Sequence, residues 1–324
     1  MSPKKVGFEG YGFLLTWLEA FKNETKIYIY GIWPLVQLIS KNIPTKKLSD
    51  TLKISCRTAI HYKTGSRPIS INSFLKLIVL SDYSKEEIFS LFVNHFSAVG
   101  CDSGFRNKKI FIPLQISTEL IYICGYLYGD GWLSSKDYSI KFVDEYKEQI
   151  FIIQKYIKRL FGYSAAIYYH KNKTELAVYS KVIYIFFNKI FEMPIGVKHG
   201  SLNIPNVLQK LPRQFKMEFI RGVLDADGGI CRIEDYNEIP KWFLHYPQIE
   251  LSQKSMNFLN GFKNLLIECG FKVLGPYYNK NNKCYKLVIG GKNQIINCCN
   301  STVFNHPIKK QRLNKLTNAL VAHW

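Results

Sequence analysis

The chain has 324 residues, of which 47% are hydrophobic, so it is long enough for two or three domains with real cores and is not a disordered tail. Its 44 lysines and arginines against 24 acidic residues give a formal charge of +20, which favours a polyphosphate partner. No apolar run of about 18 residues or more is present, and the Met1–Lys5 start lacks a signal-peptide core. We therefore expect no membrane partner and a cytoplasmic protein, nucleoid-associated if the source is prokaryotic.

The N-terminal 97 residues are predicted to form a small all-α domain. A short helix is expected around residues 12–22, and a strong helical pattern follows from Pro34 to about Asp82. Thr45 is a suitable N-cap for a helix through Leu52, and Ser55 caps a second helix that ends before Gly65. Helix, short turn and helix is the geometry of a helix-turn-helix, which we place within residues 34–82.

The run from Leu48 to Ser70 resembles the repressor-type helix-turn-helix of phage regulators. In that family the second helix enters the major groove of DNA. The resemblance implies that the second helix presents three side chains outward to DNA, namely Arg57, Thr58 and His61. It also implies that Lys63 and Arg67 lie near phosphate. An ordinary helical hairpin is the alternative interpretation.

Residues 98–112 are small and polar and then basic, which is typical of a linker. The remaining chain contains an internal repeat, so we divide it into two halves. The predicted domains are the N-terminal domain, the linker and the two halves, at residues 1–97, 98–112, 113–207 and 208–324.

A nine-residue stretch occurs twice, as Ile123–Gly131 and Ile220–Gly228, at a constant offset of 97 residues. Each copy has an apolar helical run that ends at a glycine. Gly125 and Gly129 lie four residues apart on one helical face, and Gly222 and Ala226 match them in the second copy. Small residues at this spacing let two helix backbones approach closely, so we expect the two copies to pack on each other.

Packing of the two copies would place Asp130 and Asp227 side by side. Two neighbouring carboxylates repel each other unless a divalent cation lies between or beside them. The alternative is two unrelated helix ends, each followed by an Asp-Gly turn. The fixed register of the two copies favours the paired arrangement and predicts a metal site.

Both halves show one order of elements, which is helix, two strands, helix, two strands, helix. Ile140 in the first half matches Ile249 in the second at an offset of 109, and Lys181 matches Lys292 at 111. The growth of the offset from 97 to 109 indicates a 12-residue insertion around Asp235–Tyr246. The predicted fold is α+β, with two pseudo-symmetric αββαββα halves that form a DNA-binding saddle behind the N-terminal helix-turn-helix domain.

The repeated stretch resembles the paired motifs of the LAGLIDADG homing endonucleases. The second copy matches that signature closely, whereas the first departs from it at Tyr126, Tyr128 and Gly129. The resemblance covers residues 113–318. It implies a single-chain protein, which we expect to be a monomer, with motif helices at the central interface and motif aspartates that bind metal.

The resemblance also implies the site residues. Asp130 and Asp227 are the expected metal ligands, with the carbonyls of Gly129 and Ala226 as weaker candidates. Lys181 and Lys292, at matched positions after the last strand of each half, resemble the active-site lysines of the family. Gln253 resembles its water-ordering glutamine, and Asp144 is the counterpart of Gln253 in the first half, which makes the two cleavage sites unequal.

The expected cofactor is Mg²⁺, as two or three ions for which Mn²⁺ substitutes, because Mg²⁺ binds one or two carboxylates together with substrate phosphates. The expected partner is double-stranded DNA. Its recognition is assigned to alternating, groove-facing strand residues of the two halves, namely Lys136, Tyr138, Lys141, Lys171, Lys173, Arg232, Lys280, Lys283 and Lys286.

These features predict a sequence-specific, Mg²⁺-dependent double-strand endonuclease that takes part in intron homing. Two alternatives are a non-catalytic helix-turn-helix regulator of the same fold and an intron maturase that binds structured RNA. An intein is disfavoured because the chain opens with Met1-Ser2 and His306 lies far from the end. Retention of both motif aspartates favours the nuclease, since a protein that only binds DNA gains nothing from two clustered acids.

Overall fold

The computed structural model describes residues 9–24, 26–101, 109–198, 200–230 and 239–322. Arg232, much of the predicted linker and the first part of the predicted insertion lie outside the described residues. The helices are α1 (Glu9–Phe21), α2 (Trp33–Ser40), α3 (Thr45–Leu52), α4 (Cys56–Thr64), α5 (Ile71–Val79), α6 (Lys85–His95), α7 (Thr118–Asp130), α8 (Lys147–Phe161), α9 (Lys181–Ile190), α10 (Asn206–Gln209), α11 (Arg213–Asp227), α12 (Lys241–His245), α13 (Met256–Glu268), α14 (Lys292–Asn300) and α15 (Pro307–Ala322).

The strands form three antiparallel sheets, so the fold is mixed α+β as predicted. They are β1 (Ile27–Tyr30), β2 (Ile69–Ser70), β3 (Ala98–Cys101), β4 (Gly131–Ser134), β5 (Ser139–Asp144), β6 (Ala166–His170), β7 (Lys173–Tyr179), β8 (Gly228–Ile230), β9 (Gln248–Gln253), β10 (Leu274–Asn279) and β11 (Cys284–Gly290). Within the described part of the chain, no helix combines the length and apolar character needed to cross a membrane.

The chain divides into two compact units. The first contains residues 1–116, 158–163 and 180–190, and the second contains residues 117–157, 164–179 and 191–324. The end of α8 and the whole of α9 therefore group with the N-terminal region rather than with the first repeat half. Within this unit Phe186 of α9 packs edge-on against Phe13 of α1, with ring centroids 6.3 Å apart.

The first unit is helical, as predicted, and it also contains a sheet that we did not predict. Its strand order is β2-β1-β3, with Tyr28 of β1 opposite Ser70 on one side and Gly100 on the other. Residues 98–101 of the predicted linker form β3, where Val99 is fully buried. Burial of Val99 against the core explains why this small-residue segment is a strand.

A turn of three residues joins α3 to α4. Lys53 ends α3 in the left-handed conformation, at a φ of 55°, and Ser55 accepts a hydrogen bond from the Thr58 backbone N–H at the start of α4. Gly65 ends α4, also in the left-handed conformation. Ser55 is thus the predicted N-cap, whereas Pro44 rather than Thr45 precedes the first turn of α3.

The second unit contains the two remaining sheets, whose strand orders match. They are β4-β5-β7-β6 in the first half and β8-β9-β11-β10 in the second. Ile140 lies opposite Val178, and Ile249 lies opposite Ile289 at the equivalent position. All four side chains are buried, so each sheet contributes one apolar face to the core.

The motif helices α7 and α11 pack directly on each other at the centre of this unit. A Cβ atom added at Gly222 would overlap the Tyr122 carbonyl oxygen, and one added at Gly125 would overlap the Phe219 carbonyl oxygen. One added at Gly129 would overlap the Ala226 side chain. The small residues at the repeated spacing therefore allow a backbone-to-backbone approach that larger side chains would prevent.

Candidate active site

The close packing of α7 and α11 brings their last residues, Asp130 and Asp227, to one place. Each helix ends at its aspartate, and the following glycine, Gly131 or Gly228, starts a strand. Desolvation by the surrounding protein and repulsion from the Asp227 charge raise the pKa of Asp130 to about 7, although the Asp130 side chain still reaches solvent. Burial likewise raises the pKa of Asp227. Both shifts show that the nearby positive charges only partly offset the desolvation of the two acids.

Two lysines cap the C-terminal ends of the motif helices. Lys198 Nζ donates to the carbonyls of Leu127, Tyr128 and Gly129, the first two at 3.3 and 3.1 Å. The last four carbonyls of a helix have no partner within it, and a cation at this end also interacts favourably with the helix dipole.

Lys309 repeats this arrangement in the second half. Its Nζ donates to the carbonyls of Leu224, Asp225 and Ala226 at 3.1, 2.6 and 2.8 Å. Burial lowers the pKa of both lysines, while the nearby acids oppose that change. Two ammonium groups therefore lie next to the two carboxylates in a partly desolvated site.

The sequence analysis missed this pair of lysines, although a signal was present. Lys198 and Lys309 are separated by 111 residues, the same offset that relates Lys181 to Lys292. Their six acceptor carbonyls are related by the motif offset of 97 residues. Lys309 also belongs to the basic run Lys309-Lys310-Gln311-Arg312.

Gln253 and Asp144 occupy equivalent places beside the two aspartates, but their contacts differ. The Gln253 side-chain amide donates to Asp227. Asp144 instead accepts from the Tyr126 hydroxyl at 2.5 Å and from the Tyr146 backbone N–H at 2.7 Å, and its carboxylate lies 3.6 Å from His306 Nε2.

Asp144 remains a carboxylate in this setting. Burial favours its neutral form, but the nearby His306 and the hydrogen bonds from the Tyr126 hydroxyl and the Tyr146 backbone N–H outweigh burial and lower the pKa of Asp144. The negative charge of Asp144 contributes to the raised pKa of Asp130. The first half therefore presents an additional anion where the second half presents a neutral amide.

A second buried network supports the end of α11. Asp225 is 1% exposed and accepts from the Tyr122 hydroxyl of α7 at 2.6 Å and from the Asn305 backbone N–H at 3.0 Å. Gln149 in turn donates to the Tyr122 hydroxyl at 2.7 Å. Burial raises the pKa of Asp225 to about 6, and the hydrogen bonds limit that rise. These contacts fix the two motif helices against each other next to the aspartates.

An open cleft of about 540 Å³ borders Asp130 on the first-half side. Asp144, His306, Lys309 and Arg312 also line this cleft, so acidic and basic groups face the same space. The cleft is therefore a place where a polyanionic chain can approach the Asp130 carboxylate.

The other predicted site residues are positioned differently. Lys181 belongs to the first unit, where its Nζ lies 3.4 Å from a Glu24 carboxylate oxygen. Lys292 begins α14 and is half-buried. The carbonyls of Gly129 and Ala226, predicted as weaker metal ligands, accept from Lys198 and Lys309. The cations that lower the pKa of Asp227 are Lys198 and Lys309.

Most of the predicted DNA-binding residues of the second unit are exposed at the turns between strands rather than within strands as predicted, although Lys173 is the first residue of β7. These are Lys136 and Tyr138 between β4 and β5, Lys171 and Lys173 at the β6–β7 turn, and Lys280 and Lys283 between β10 and β11. Lys141 and Lys286 differ, because they lie within strands, are half-buried and form ion pairs with glutamates.

In the first unit, the predicted DNA-binding residues of α4 are only partly available. Arg57 and, after the helix, Arg67 are exposed. Thr58 is half-buried with its hydroxyl 2.9 Å from that of Ser55, and His61 Nδ1 is 2.7 Å from the Ser66 hydroxyl. Arg57 is thus the most accessible of the predicted contacts on α4.

Comparison with protein families places a known domain on the second half. Residues 214–300 match the model of the LAGLIDADG-like domain. The chain is 26% identical over 212 residues to the tRNA-splicing ligase RtcB of Pyrococcus abyssi and 25% identical over 223 residues to a probable translation initiation factor IF-2 of Methanocaldococcus jannaschii. These alignments cover 59% and 66% of this chain but only 23% and 17% of the relatives, so it spans about a fifth of their length.

Solved structures of homing endonucleases resemble the chain at low sequence identity. A mesophilic variant of I-DmoI matches with a TM-score of 0.43 and 16% identity, over 61% of this chain and 97% of that one. I-WcaI bound to its DNA recognition sequence also matches, with a TM-score of 0.43 and 16% identity, over 60% of this chain and 85% of that one. An uncharacterised protein of Methanocaldococcus jannaschii is 24% identical over 232 residues, covering 67% of this chain and 78% of its own length.

Proposed function

We propose that this protein is a sequence-specific endonuclease that hydrolyses both strands of a DNA duplex in the presence of Mg²⁺. The observation that carries the proposal is the arrangement at the ends of α7 and α11, where two aspartates emerge together and a lysine caps each helix. A protein that only bound DNA would gain nothing from holding two carboxylates at raised pKa. The match of residues 214–300 to the LAGLIDADG-like domain supports the same class.

The donor set fits a hard divalent cation. Asp130 and Asp227 supply carboxylate oxygens, which Mg²⁺ prefers, and their raised pKa values show that added positive charge would stabilise the site. We assign them as the residues that hold Mg²⁺, or Mn²⁺ in its place, with the Gly129 and Ala226 carbonyls as further oxygens. Bound Mg²⁺ would neutralise phosphate charge and lower the pKa of water. The number of ions proposed is two or three.

The remaining side chains position the substrate and the protons. Lys309 lines the cleft beside Asp130. Burial lowers the pKa of Lys198 and Lys309, so each would be a better proton donor than an ordinary lysine. The Gln253 amide fixes the orientation of the Asp227 carboxylate. We also keep Lys181 and Lys292 as proposed contributors, on the basis of their matched places in the two halves.

Asp144 makes the two halves unequal. It is anionic and held by Tyr126, Tyr146 and His306, so it repels a phosphate where the Gln253 amide would donate to one. We therefore propose that the two strands are cut at different rates.

The exposed lysines of the turns provide the phosphate contacts of a DNA-binding saddle. Helices α3 and α4 add a second DNA contact through a helix-turn-helix, with Arg57 as its accessible side chain. The spacing of these two helices is the observation that favours a second function, a regulator that binds an operator without cutting it.

The two partial matches to a ligase and to an initiation factor support a mobile module. The names of those proteins describe unrelated functions, yet each shares a stretch of a little over 200 residues with this chain. A segment that recurs in unrelated proteins is what we expect of a mobile coding sequence, which homing copies from one gene into another.

The test is to incubate the full chain with its own flanking genomic DNA, with the intron or insertion junction restored, with and without Mg²⁺. The proposal predicts a double-strand break that appears only with Mg²⁺ and only in the restored junction. Binding to an operator with no cleavage at any Mg²⁺ or Mn²⁺ concentration would favour the regulator instead.

A further inference from the structure

Each sheet of the second unit carries one lysine–glutamate ion pair between neighbouring strands. In the first half, Lys141 Nζ on β5 lies 3.0 Å from Glu175 Oε1 on β7. In the second half, Lys286 Nζ on β11 lies 2.6 Å from Glu250 Oε2 on β9. All four side chains are partly accessible.

The two pairs occupy equivalent positions, but their charges are reversed. Lys141 corresponds to Glu250 at an offset of 109, and Glu175 corresponds to Lys286 at an offset of 111. These are the offsets that relate the flanking buried positions, such as Ile140 and Ile249. The ion pair is thus retained between the halves while its polarity is inverted.

Both pairs lie on the sheet face opposite the core. The strand neighbours Ile140, Leu176, Leu251 and Leu287 are at most 2% exposed, and they point to the other face because side chains alternate along a strand. The face that carries the ion pairs is thus the one left for a ligand.

A phosphate is a poor partner for such a pair. The glutamate already neutralises the lysine, and a phosphate placed at the lysine would be repelled by the glutamate beside it. A base-pair edge has no net charge and presents donors and acceptors together. In the major groove, guanine offers the O6 and N7 acceptors, and its paired cytosine offers the N4 amino donor.

We infer that each ion pair reads one G·C base pair, with the lysine donating to guanine and the glutamate accepting from the cytosine amino group. This inference rests on the proposed function, since it names how the proposed DNA target is recognised. The halves are related by pseudo-twofold symmetry, so equal side chains would read equal bases. The reversed polarity therefore makes the two half-sites differ at this position, where one has G·C and the other has C·G.

The test uses charge-swapped double variants of the full chain. Lys141→Glu with Glu175→Lys keeps the net charge and the ion pair but inverts the polarity in the first half. Glu250→Lys with Lys286→Glu is the matched change in the second half. Wild type and both variants are used to select duplexes from a randomised pool in EDTA, so that cleavage cannot remove the preferred sequences.

Each double swap is expected to invert the preferred base pair at one position of its own half-site and to leave the other positions unchanged. The preference should change by about tenfold, within the range for one bidentate base contact. Where a swap fails to fold, as judged by thermal unfolding, Glu175→Gln or Glu250→Gln serves instead and should lose the preference at that position.

Two results would overturn the inference. Folded variants that select the same sequence as wild type would show that the pairs are structural. A loss of affinity for all sequences, without a change of preference, would show that the lysines bind phosphate. If wild type cleaves one target while the variants keep its sequence preference, only this inference fails; if wild type selects no sequence, the proposed function fails with it.

Discussion

Removal of the Lys309 ammonium should destabilise the second unit strongly. In Lys309→Met, the carbonyls of Leu224, Asp225 and Ala226 lose a charged donor. A hydrogen bond to a charged group typically contributes about 1.5–3 kcal/mol to stability, but the contributions of three that share one ammonium do not add fully. In the unfolded wild type, the Lys309 ammonium also regains its hydration, which reduces the net contribution. We expect a net loss of about 2–4 kcal/mol, which corresponds to roughly 5–15 °C in the unfolding temperature of a unit of this size.

The loss should depend on pH in a defined direction. The pKa of Asp130 is about 7 in the folded protein against an ordinary value of 3.8, so the folded state binds a proton more tightly between these values. The metal-free wild type should therefore be more stable at pH 5.5 than at pH 8, by about 1–2 kcal/mol after allowance for solvent screening. Because Lys309 opposes that pKa rise, its removal should widen the difference between the two pH values.

Thermal unfolding in EDTA at pH 5.5 and pH 8 measures both effects. Lys310→Met is the matched control, because Lys310 is exposed on the same helix one residue away. If Lys309→Met and Lys310→Met unfold at the same temperature at pH 8, then Lys309 does not stabilise the end of α11 and the description of the site is wrong.

Three further changes test the packing and the N-terminal unit. Gly222→Leu should lower the free energy of unfolding by several kcal/mol, because the new side chain overlaps α7. Gly229→Ala is the control and should leave thermal unfolding unchanged, because its added carbon meets nothing closer than 3.8 Å. Equal stability of the two variants would contradict the helix contact. A chain that begins at residue 113 should unfold at a lower temperature than the full chain, because Phe186 of α9 loses its contact with Phe13 of α1. An unchanged unfolding temperature would mean that α9 does not need the N-terminal residues. Arg57→Ala should weaken DNA binding about tenfold, one good contact, while Lys85→Ala, an exposed control on α6, should not; equal affinities would remove α4 from the DNA contact.

Much of the second unit was predictable because its signals are local or repeated. The Gly and Ala spacing within the repeat predicted the close contact between α7 and α11. The shared order of elements predicted two matching sheets, which have the strand orders β4-β5-β7-β6 and β8-β9-β11-β10. These features depend on neighbours in sequence or on a counterpart at a fixed offset, both of which can be seen in one chain.

The features that we did not predict depend on contacts that are distant in sequence. Lys198 lies in an irregular segment with no periodicity, and only packing against α7 about 70 residues earlier brings it to the helix end. The sheet of the first unit joins a two-residue strand, β2, to segments about 40 residues before it and 30 after it. Helix α9 groups with the N-terminal unit because Phe186 meets Phe13, which no local pattern indicates.

The most direct test of the central claim compares binding and cleavage by wild type and Asp227→Asn on the same selected duplex, in single-turnover reactions with Mg²⁺. Because the amide removes a carboxylate ligand and a charge that repels DNA, the variant should bind at least as tightly as wild type and should not cut. Asp130→Asn should behave in the same way. Cleavage by either variant at a rate close to that of wild type would contradict the proposal that the two aspartates form the metal-binding active site.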